Sequence, residues 1–444
     1  MSRAGQPTDA APLGRPLEFS FSGRSAPNRF LKGAMSERLS SWSLGDISAR
    51  GIPSNELVKA YSVWGKGEIG LILTGNVMIH PEQLEAEGNL IVPPDAPFHG
   101  ERFEQFKALA TEGKSQGSLV VAQVSHPGRQ TPEHIQPHPI SASAVQLPGV
   151  VLGNTYGVPR EATQEDINSV IEGFAHTAEF LEKAGYDGIQ LHGAHGYLLS
   201  QFLSQTTNRR TDKYGGSLAN RMRLILEIRE AIAHRVGPQF VVGIKINSVE
   251  FQPHGFQPAE ARELCQTLEA HRFDFVELSG GTYESWQMGD ETKRDSTNKR
   301  EAFFLEFAQM VVSSLTKTKS YLTGGFRSVE GMVNGLKTLD GVGLARPLCQ
   351  EPFLCRDILH KNIPGSLIPA MNEYDFGLTA GASIVHIRQM GKGLEPINLT
   401  AHEAVAAMVA TLVEWSRVRA TDRSEAAIQP PSVDGYAIPL NVEA

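Results

Sequence analysis

Short apolar runs alternate along this chain with longer segments whose apolar residues recur at helical spacing. The runs are Arg29–Met35, Ile69–Thr74, Leu119–Val124, Gly188–His192, Phe240–Ile246, Phe273–Leu278, Tyr321–Thr323 and Gly341–Ala345. Each reads as a strand. Between them the spacing predicts helices over 54–65, 101–115, 165–184, 218–236, 258–271, 301–318 and 328–337, with another near 352–361. Thr163 opens a capping sequence before the third helix, and Pro258 stands where a first-turn proline is tolerated.

Strands that alternate with helices pair in parallel, and eight repeats suffice to close a (β/α)8 TIM barrel of the α/β class. A doubly wound sheet would need a glycine-rich phosphate loop after its first strand, where this chain has Ala34-Met35-Ser36-Glu37-Arg38. Two inserts break the rhythm. Residues 125–162, rich in Pro, His and Gly, follow the third strand and read as a lid over the barrel mouth. From about 365 a tail carries one amphipathic helix, His402–Val418, and then a Pro-rich end. The expected organisation is a barrel unit over 1–364 and a helical extension over 365–444 that packs on the barrel or on a neighbouring subunit of a homo-oligomer.

Composition narrows the function. At 444 residues the chain can bury a large core. Its formal charge of −8, with no long basic run, argues against nucleic acid as a partner. Residues 1–18 lack the apolar core of a secretory signal, and no stretch approaches the roughly 18 apolar residues of a membrane span. The expectation is a soluble cytoplasmic protein with no membrane partner. Cys265, Cys349 and Cys355 have no CxxC spacing, so neither a disulfide framework nor an iron–sulfur or zinc site is indicated.

In a barrel the chemistry sits at the carboxyl ends of the strands. Those ends carry Met35-Ser36, Thr74-Gly75-Asn76, Gln123, His192, Lys245, Ser279-Gly280-Gly281, Thr323-Gly324-Gly325 and Ala345-Arg346. Strand parity turns Ile189 and Leu191 outward and Gln190 and His192 inward; it also turns Lys245 and Gly243 inward. A buried lysine needs a partner. Three readings stay open for Lys245: an ion pair, a Schiff-base nucleophile, or a cation facing an electron-rich cofactor. Gly324-Gly325 at a helix start, beside Ala345-Arg346, offers N–H donors and a guanidinium where this fold often holds a phosphate. The strand ends supply cations rather than carboxylates, which argues against a metal at His192 and His195. What remains is a site where two imidazoles and the Tyr197 phenol polarise and protonate a substrate.

The stretches PNRFLKGAM (27–35), GLILTGN (70–76), AQVSHPGRQ (122–130), LHGAHGYLLSQFLSQTTNRRTDKYGGSLANR (191–221), VGIKIN (242–247), LTGGFRS (322–328) and GLARP (343–347), in this order, resemble the old yellow enzyme family of flavin-dependent ene-reductases. The resemblance implies a (β/α)8 barrel with non-covalent FMN at the strand ends, reduced by NADPH or NADH and reoxidised by a small-molecule activated alkene. It implies that Ala34, Met35 and Ser36 line the flavin, Ser36 near O4; that the Asn76 backbone faces the same edge; and that Gln123 meets the pyrimidine ring. Lys245 falls where many members have Arg, beside N1 and O2, and Gly324, Gly325, Ala345 and Arg346 fall at the phosphate. His192 and His195 would hold the substrate's electron-withdrawing oxygen while Tyr197 protonates the carbon that does not receive hydride. Tyr283 and Trp286, with Trp42, are candidate substrate walls.

The chain departs from the family at Ala34, usually Pro, and at Ser125, aromatic in some members. The HPGRQ and TYESW loops resemble the fungal NADH:flavin oxidoreductase branch, and the lack of a cysteine cluster argues against a dienoyl-CoA reductase fused to an iron–sulfur domain. The expected activity is reduction of α,β-unsaturated carbonyl or nitro compounds. Two rivals are a Schiff-base lyase using Lys245 and a flavin carrier without catalysis.

Overall fold

The computed structural model describes residues 2–151, 153–247, 258–279, 308–309, 311–373, 375–433 and 435–441. Eight parallel strands close on themselves: β1 (Phe30–Lys32), β2 (Leu71–Met78), β3 (Leu119–Ser125), β4 (Gly188–Gly193), β5 (Val241–Asn247), β6 (Phe275–Ser279), β7 (Lys319–Thr323) and β8 (Gly341–Leu344). Each pairs with its neighbour in sequence, and β8 pairs with β1. The described helices outside them include α1 (Asn55–Gly65), α2 (Glu101–Gly113), α3 (Gln164–Lys183), α4 (Leu198–Leu203), α5 (Arg223–Ala233), α6 (Pro258–Ala270), α7 (Val329–Gly335) and α8 (Leu354–Lys361). This is the (β/α)8 barrel that the alternation predicts. Thr163 caps α3 in a reciprocal box with Asp166. Of the predicted helix over 301–318, residues 301–307 and 310 lie outside the described residues; 308–309 and 311–312 are helical, and the chain then turns toward β7.

The period of two divides each strand between two environments. Ile189, Leu191, Val242, Ile244 and Ile246 face the helices, where they share one apolar cluster with Phe106, Phe174, Phe180 and Ile228. The inward positions form layers. At the amino-terminal end Leu31, Leu71, Leu73, Leu119, Val121, Val241, Phe275 and Tyr321 fill the barrel, and a two-stranded hairpin, Leu17–Glu18 with Ser25–Ala26, plugs it with Leu17, Phe19 and Ala26. Complete burial of Phe19 contributes roughly 2–3 kcal/mol. Above this plug the inward residues turn polar: Gln123, Gln190, Lys245 and Glu277, then Ser125, His192, Asn247 and Ser279.

Two strands depart from the sequence-based ranges. β1 ends at Lys32 rather than Met35, because Gly33 bonds across to the Leu344 carbonyl (2.9 Å) and the chain then leaves the ladder. Residues 34–36 therefore lie as a loop over the mouth, held by buried Glu37, which accepts from the Tyr61 hydroxyl and from Gly75 N (2.8 Å). β2 continues past Thr74 to Met78 through a register shift between Leu73 and Asn76. A Cβ at Gly75 would fall 2.0 Å from Glu37 Oε2 and 2.4 Å from the Met35 carbonyl, so glycine alone permits this approach.

Residues beyond 365 form α9 (Phe376–Gly391) and α10 (His402–Thr421). The tail reaches the barrel mouth, where Ile428 packs with Trp42, Met78, Leu84 and Ile91. No described helix is long and apolar enough to cross a membrane.

Candidate active site

Lys245 points into the barrel with its Nζ 3.1 Å from Glu277 Oε1, its register neighbour on β6. Both are buried, and Glu277 Oε2 also accepts from Gln190 Nε2 (2.7 Å), whose Oε1 accepts from Gln123 Nε2 (2.6 Å). Of the three readings of Lys245, the ion pair is present in the structure.

One layer higher, the end of β4 brings the imidazoles together. His195 and Gly196 both take positive φ (58° and 77°), and this double left-handed turn folds the chain back so that the Tyr197 ring lies 4.4 Å from that of His192. Gln201, fully buried on α4, holds the turn through the Gly196 carbonyl (2.7 Å) and ties it to the lid through the Pro127 carbonyl (3.0 Å) and the Ser141 hydroxyl (2.9 Å). The lid covers the phenol, since Leu147, Val151 and Tyr156 form an apolar cluster with Tyr197.

His192 Nδ1 lies 2.7 Å from Asn76 Oδ1, His192 Nε2 lies 3.0 Å from His195 Nδ1, and His195 Nε2 lies 2.8 Å from the Ser279 hydroxyl. Burial, above all, drives both histidines well below the ordinary imidazole range; His195 and then the Lys245 charge add to the effect on His192, and the Lys245 charge adds to that on His195. Both are neutral at pH 7. Ser125 Oγ sits 3.4 Å from His192 Nδ1.

The structure thus gathers Ser36, Asn76, His192, His195 and Tyr197, with Gln123 and Lys245 one layer below. The phosphate candidates cluster on the other side of the mouth. Gly33 packs against Thr323 and Ala345, which sets residues 34 and 35 beside the ends of β7 and β8. Gly324 and Gly325 take φ of 129° and 87°, and a Cβ at Gly324 would meet none of the described residues within 4 Å. Arg346 donates to Thr379 Oγ1 (2.9 Å) and to the Glu373 carbonyl (3.3 Å), so the extension steadies this guanidinium. Tyr283 and Trp286 lie outside the described residues. Trp42 is a packing residue: its indole donates to the Arg423 carbonyl (3.1 Å) beneath the Arg50 guanidinium.

Two residues escaped the sequence reading. Glu277 shares its parity with Phe275 and Ser279 on β6, so its inward position opposite Lys245 was a usable signal. Glu85, in the loop after β2, accepts from Ser36, Tyr197, Asn76 Nδ2 (2.7 Å) and Asn89 Nδ2 (3.4 Å). It stands in PEQLEAEGN, where acidic residues read as a solvated loop.

A ligand with hydrogen-bonding groups fits the residues present at this mouth. Asn247 Nδ2 and Thr323 Oγ1 are buried and, among the described residues, have no hydrogen-bond partner, and no described residue lies over Gly324. A depression of about 450 Å³ at the opposite end, lined by Arg24, Lys114 and Asp187, gathers none of these groups.

Comparison with known proteins agrees with this geometry. A profile of the NADH:flavin oxidoreductase / NADH oxidase family matches residues 19–364. The NADH-dependent flavin oxidoreductase nadA of Aspergillus parasiticus is 60% identical over 444 residues, covering 100% of both chains. The NADH-dependent flavin oxidoreductase iccE of Talaromyces variabilis is 34% identical over 361 residues, 76% of this chain and 84% of its own. Morphinone reductase, a solved structure, superposes with a TM-score of 0.64 at 23% identity over 81% of this chain and 92% of its own, which supports the fold. The chain belongs to the NADH:flavin oxidoreductase / NADH oxidase family and is a flavin-dependent oxidoreductase of FMN and NADH or NADPH, as the resemblance to the old yellow enzymes implied.

Proposed function

We propose that the protein is an ene-reductase that reduces the activated C=C bond of α,β-unsaturated carbonyl or nitro compounds. The observation that carries this reading is the pairing of two buried neutral imidazoles with a phenol at one strand end, His192 and His195 beside Tyr197. When bound, FMN accepts hydride from the nicotinamide and supplies it to the β-carbon. Ala34, Met35, Ser36, Asn76, Gln123 and Lys245 are the residues that would hold the ring system, and Gly324, Gly325, Ala345 and Arg346 those that would hold the phosphate.

The protein's own part is polarisation and proton delivery. A substrate oxygen accepting hydrogen bonds from the imidazoles draws electron density from the alkene, and Tyr197 donates its hydroxyl proton to the α-carbon. The two rings bond each other at 3.0 Å, so the substrate oxygen must replace a bond that already exists. The lid residues packed on Tyr197 keep bulk water from competing as acid. We read 1–364 as the catalytic unit and 365–444 as an extension that completes its mouth.

The test is Tyr197→Phe in FMN-loaded protein, followed by anaerobic stopped-flow of each half-reaction. Reduction by NADH should stay near the parental rate, while reoxidation by an enone should slow by on the order of 10²–10⁴. A nitroalkene should suffer less, because its nitronate can take a proton later from water. A Tyr197→Phe enzyme that reoxidises with enones at the parental rate removes the tyrosine from the reaction.

A further inference from the structure

The loop that crosses the barrel mouth leads into an arginine that no described residue binds. Arg38 stands two residues past Ser36 and takes a positive φ of 56°. Its backbone is pinned on both sides, since the Ser36 hydroxyl donates to Glu85 and Ser40 N donates to the Gly88 carbonyl (3.1 Å). Gly88 permits the close approach: a Cβ there would lie 2.9 Å from the Arg38 carbonyl carbon and oxygen. Arg38 is half-buried, its Nε is buried with no hydrogen-bond partner among the described residues, and its guanidinium donates to none of them. A desolvated charged donor is normally paired.

The carboxylates near it are already engaged. Glu87 Oε1 accepts from His134 (2.8 Å) and Arg423 (2.8 Å), and Oε2 from Arg419 (2.9 Å). Glu85 accepts from Ser36, Tyr197, Asn76 and Asn89, none of them a cation. Asp422 is exposed and turned to Ser424 N (2.8 Å). The Arg38 charge helps to hold the Glu87 carboxyl low and opposes the upward effect of Glu85 on the phenol of the lid residue Tyr156, so the guanidinium lies between the loop after β2 and the lid. Arg419 is pushed down to about 10 by burial and then by the Arg38 charge, and its own Nε is buried without a partner among the described residues. Three guanidiniums thus share this rim with two carboxylates, and two of the three, Arg419 and Arg423, come from the extension. A cation is in excess.

We propose that Arg38, with the Arg419 charge beside it, forms an anion site at the rim of the mouth and takes a phosphate or carboxylate of a molecule whose other end reaches the flavin. Two reactants carry a group of this class: the nicotinamide dinucleotide in its diphosphate, and an acidic enone in its carboxylate. A guanidinium suits either, because its fork of N–H donors matches the paired oxygens of both. Arg38 breaks no bond to a described residue when it binds such a group, and Arg419 and Arg423 keep Glu87. The dinucleotide source rests on the use of NADH or NADPH by the family, and the enone source on the ene-reductase reading.

The experiment compares FMN-loaded, full-length parent with Arg38→Met, which removes the charge and keeps the length, and with Arg38→Lys, by anaerobic stopped-flow. The reductive half-reaction is run with NADH and with an N-benzyl dihydronicotinamide, which has no phosphate. The oxidative half-reaction is run with an enone bearing a carboxylate and with its methyl ester. If the anion is the diphosphate, half-saturation of Arg38→Met by NADH should require roughly 10- to 100-fold more coenzyme, the range for a lost charge-assisted bond, while the benzyl compound and both enones keep their parental values. If the anion belongs to the substrate, the carboxylate enone alone should show that loss. Arg38→Lys should recover part of it in either case. Parental half-saturation by both anionic reactants overturns the anion site, and so does an equal loss for the charged and uncharged member of a pair, which marks a disturbed loop. If no enone reoxidises the parent, the ene-reductase reading falls, and the comparison of NADH with the benzyl compound alone decides the role of Arg38.

Discussion

Lys245 and Glu277 show how one buried pair serves both folding and the site. Both are buried, so Lys245→Met leaves a fully buried carboxylate whose hydrogen-bond donor among the described residues is Gln190. Breaking a buried pair from one side costs about 3–5 kcal/mol, and that loss is expected in denaturant unfolding. Adding Glu277→Gln should restore most of it, since the new amide oxygen still accepts from Gln190. If the double variant is no more stable than Lys245→Met, the pair is not the source of the loss. Parity alone placed Lys245, Gln190 and His192 on the inner face, because a two-residue period leaves no other choice once Ile189, Leu191 and Ile244 go to the helices. The partner of Lys245 was legible by the same rule, one strand away, whereas Glu85 was not. Its role depends on a loop returning over the mouth, and no local pattern encodes where such a loop comes to rest.

The loop after β2 draws together elements far apart in sequence. Glu87 is buried and receives the lid through His134 and the extension through Arg419 and Arg423. Burial alone would push its carboxyl up, but the His134 bond and the Arg419 and Arg38 charges hold it well below the usual carboxylate range. Glu87→Ala should therefore lower stability by about 2–4 kcal/mol, less than for a fully enclosed pair because Arg423 is half-exposed. It should also speed amide exchange together in α10 and in the lid strand Ile140–Ser141. Faster exchange in α10 alone would mean that the lid is anchored elsewhere. The strands and most helices were legible because each buries one face over its whole length. The break at Met222 between Leu218–Arg221 and α5, and the bulge that carries β2 on to Asn76, follow from tertiary contacts and leave no such periodic trace.

Across the whole molecule several histidines are buried neutral. His126 is driven down to about 3 by burial, with His80 adding to it, and His386 on α9 to about 4 by burial although its Nε2 bonds the Ile397 carbonyl (3.0 Å). The unfolded chain titrates these groups near 6.5, so it takes up protons first as pH falls. The stability they contribute is complete above about 6.5 and is lost at about 1.4 kcal/mol per pH unit for each histidine as pH falls toward the folded values. His386→Gln, which keeps a donor for Ile397, should reduce the slope of unfolding free energy between pH 6 and pH 4.5 by one proton. An unchanged slope would contradict the burial argument.

The account as a whole is tested most directly by the colour of the purified full-length protein in one anaerobic cuvette. It should be yellow from bound FMN, bleach on addition of NADH or NADPH, and regain its colour stoichiometrically when an α,β-unsaturated ketone is added, with the saturated ketone as product. A flavin that bleaches and then stays reduced in the presence of enones and nitroalkenes alike would contradict the ene-reductase assignment.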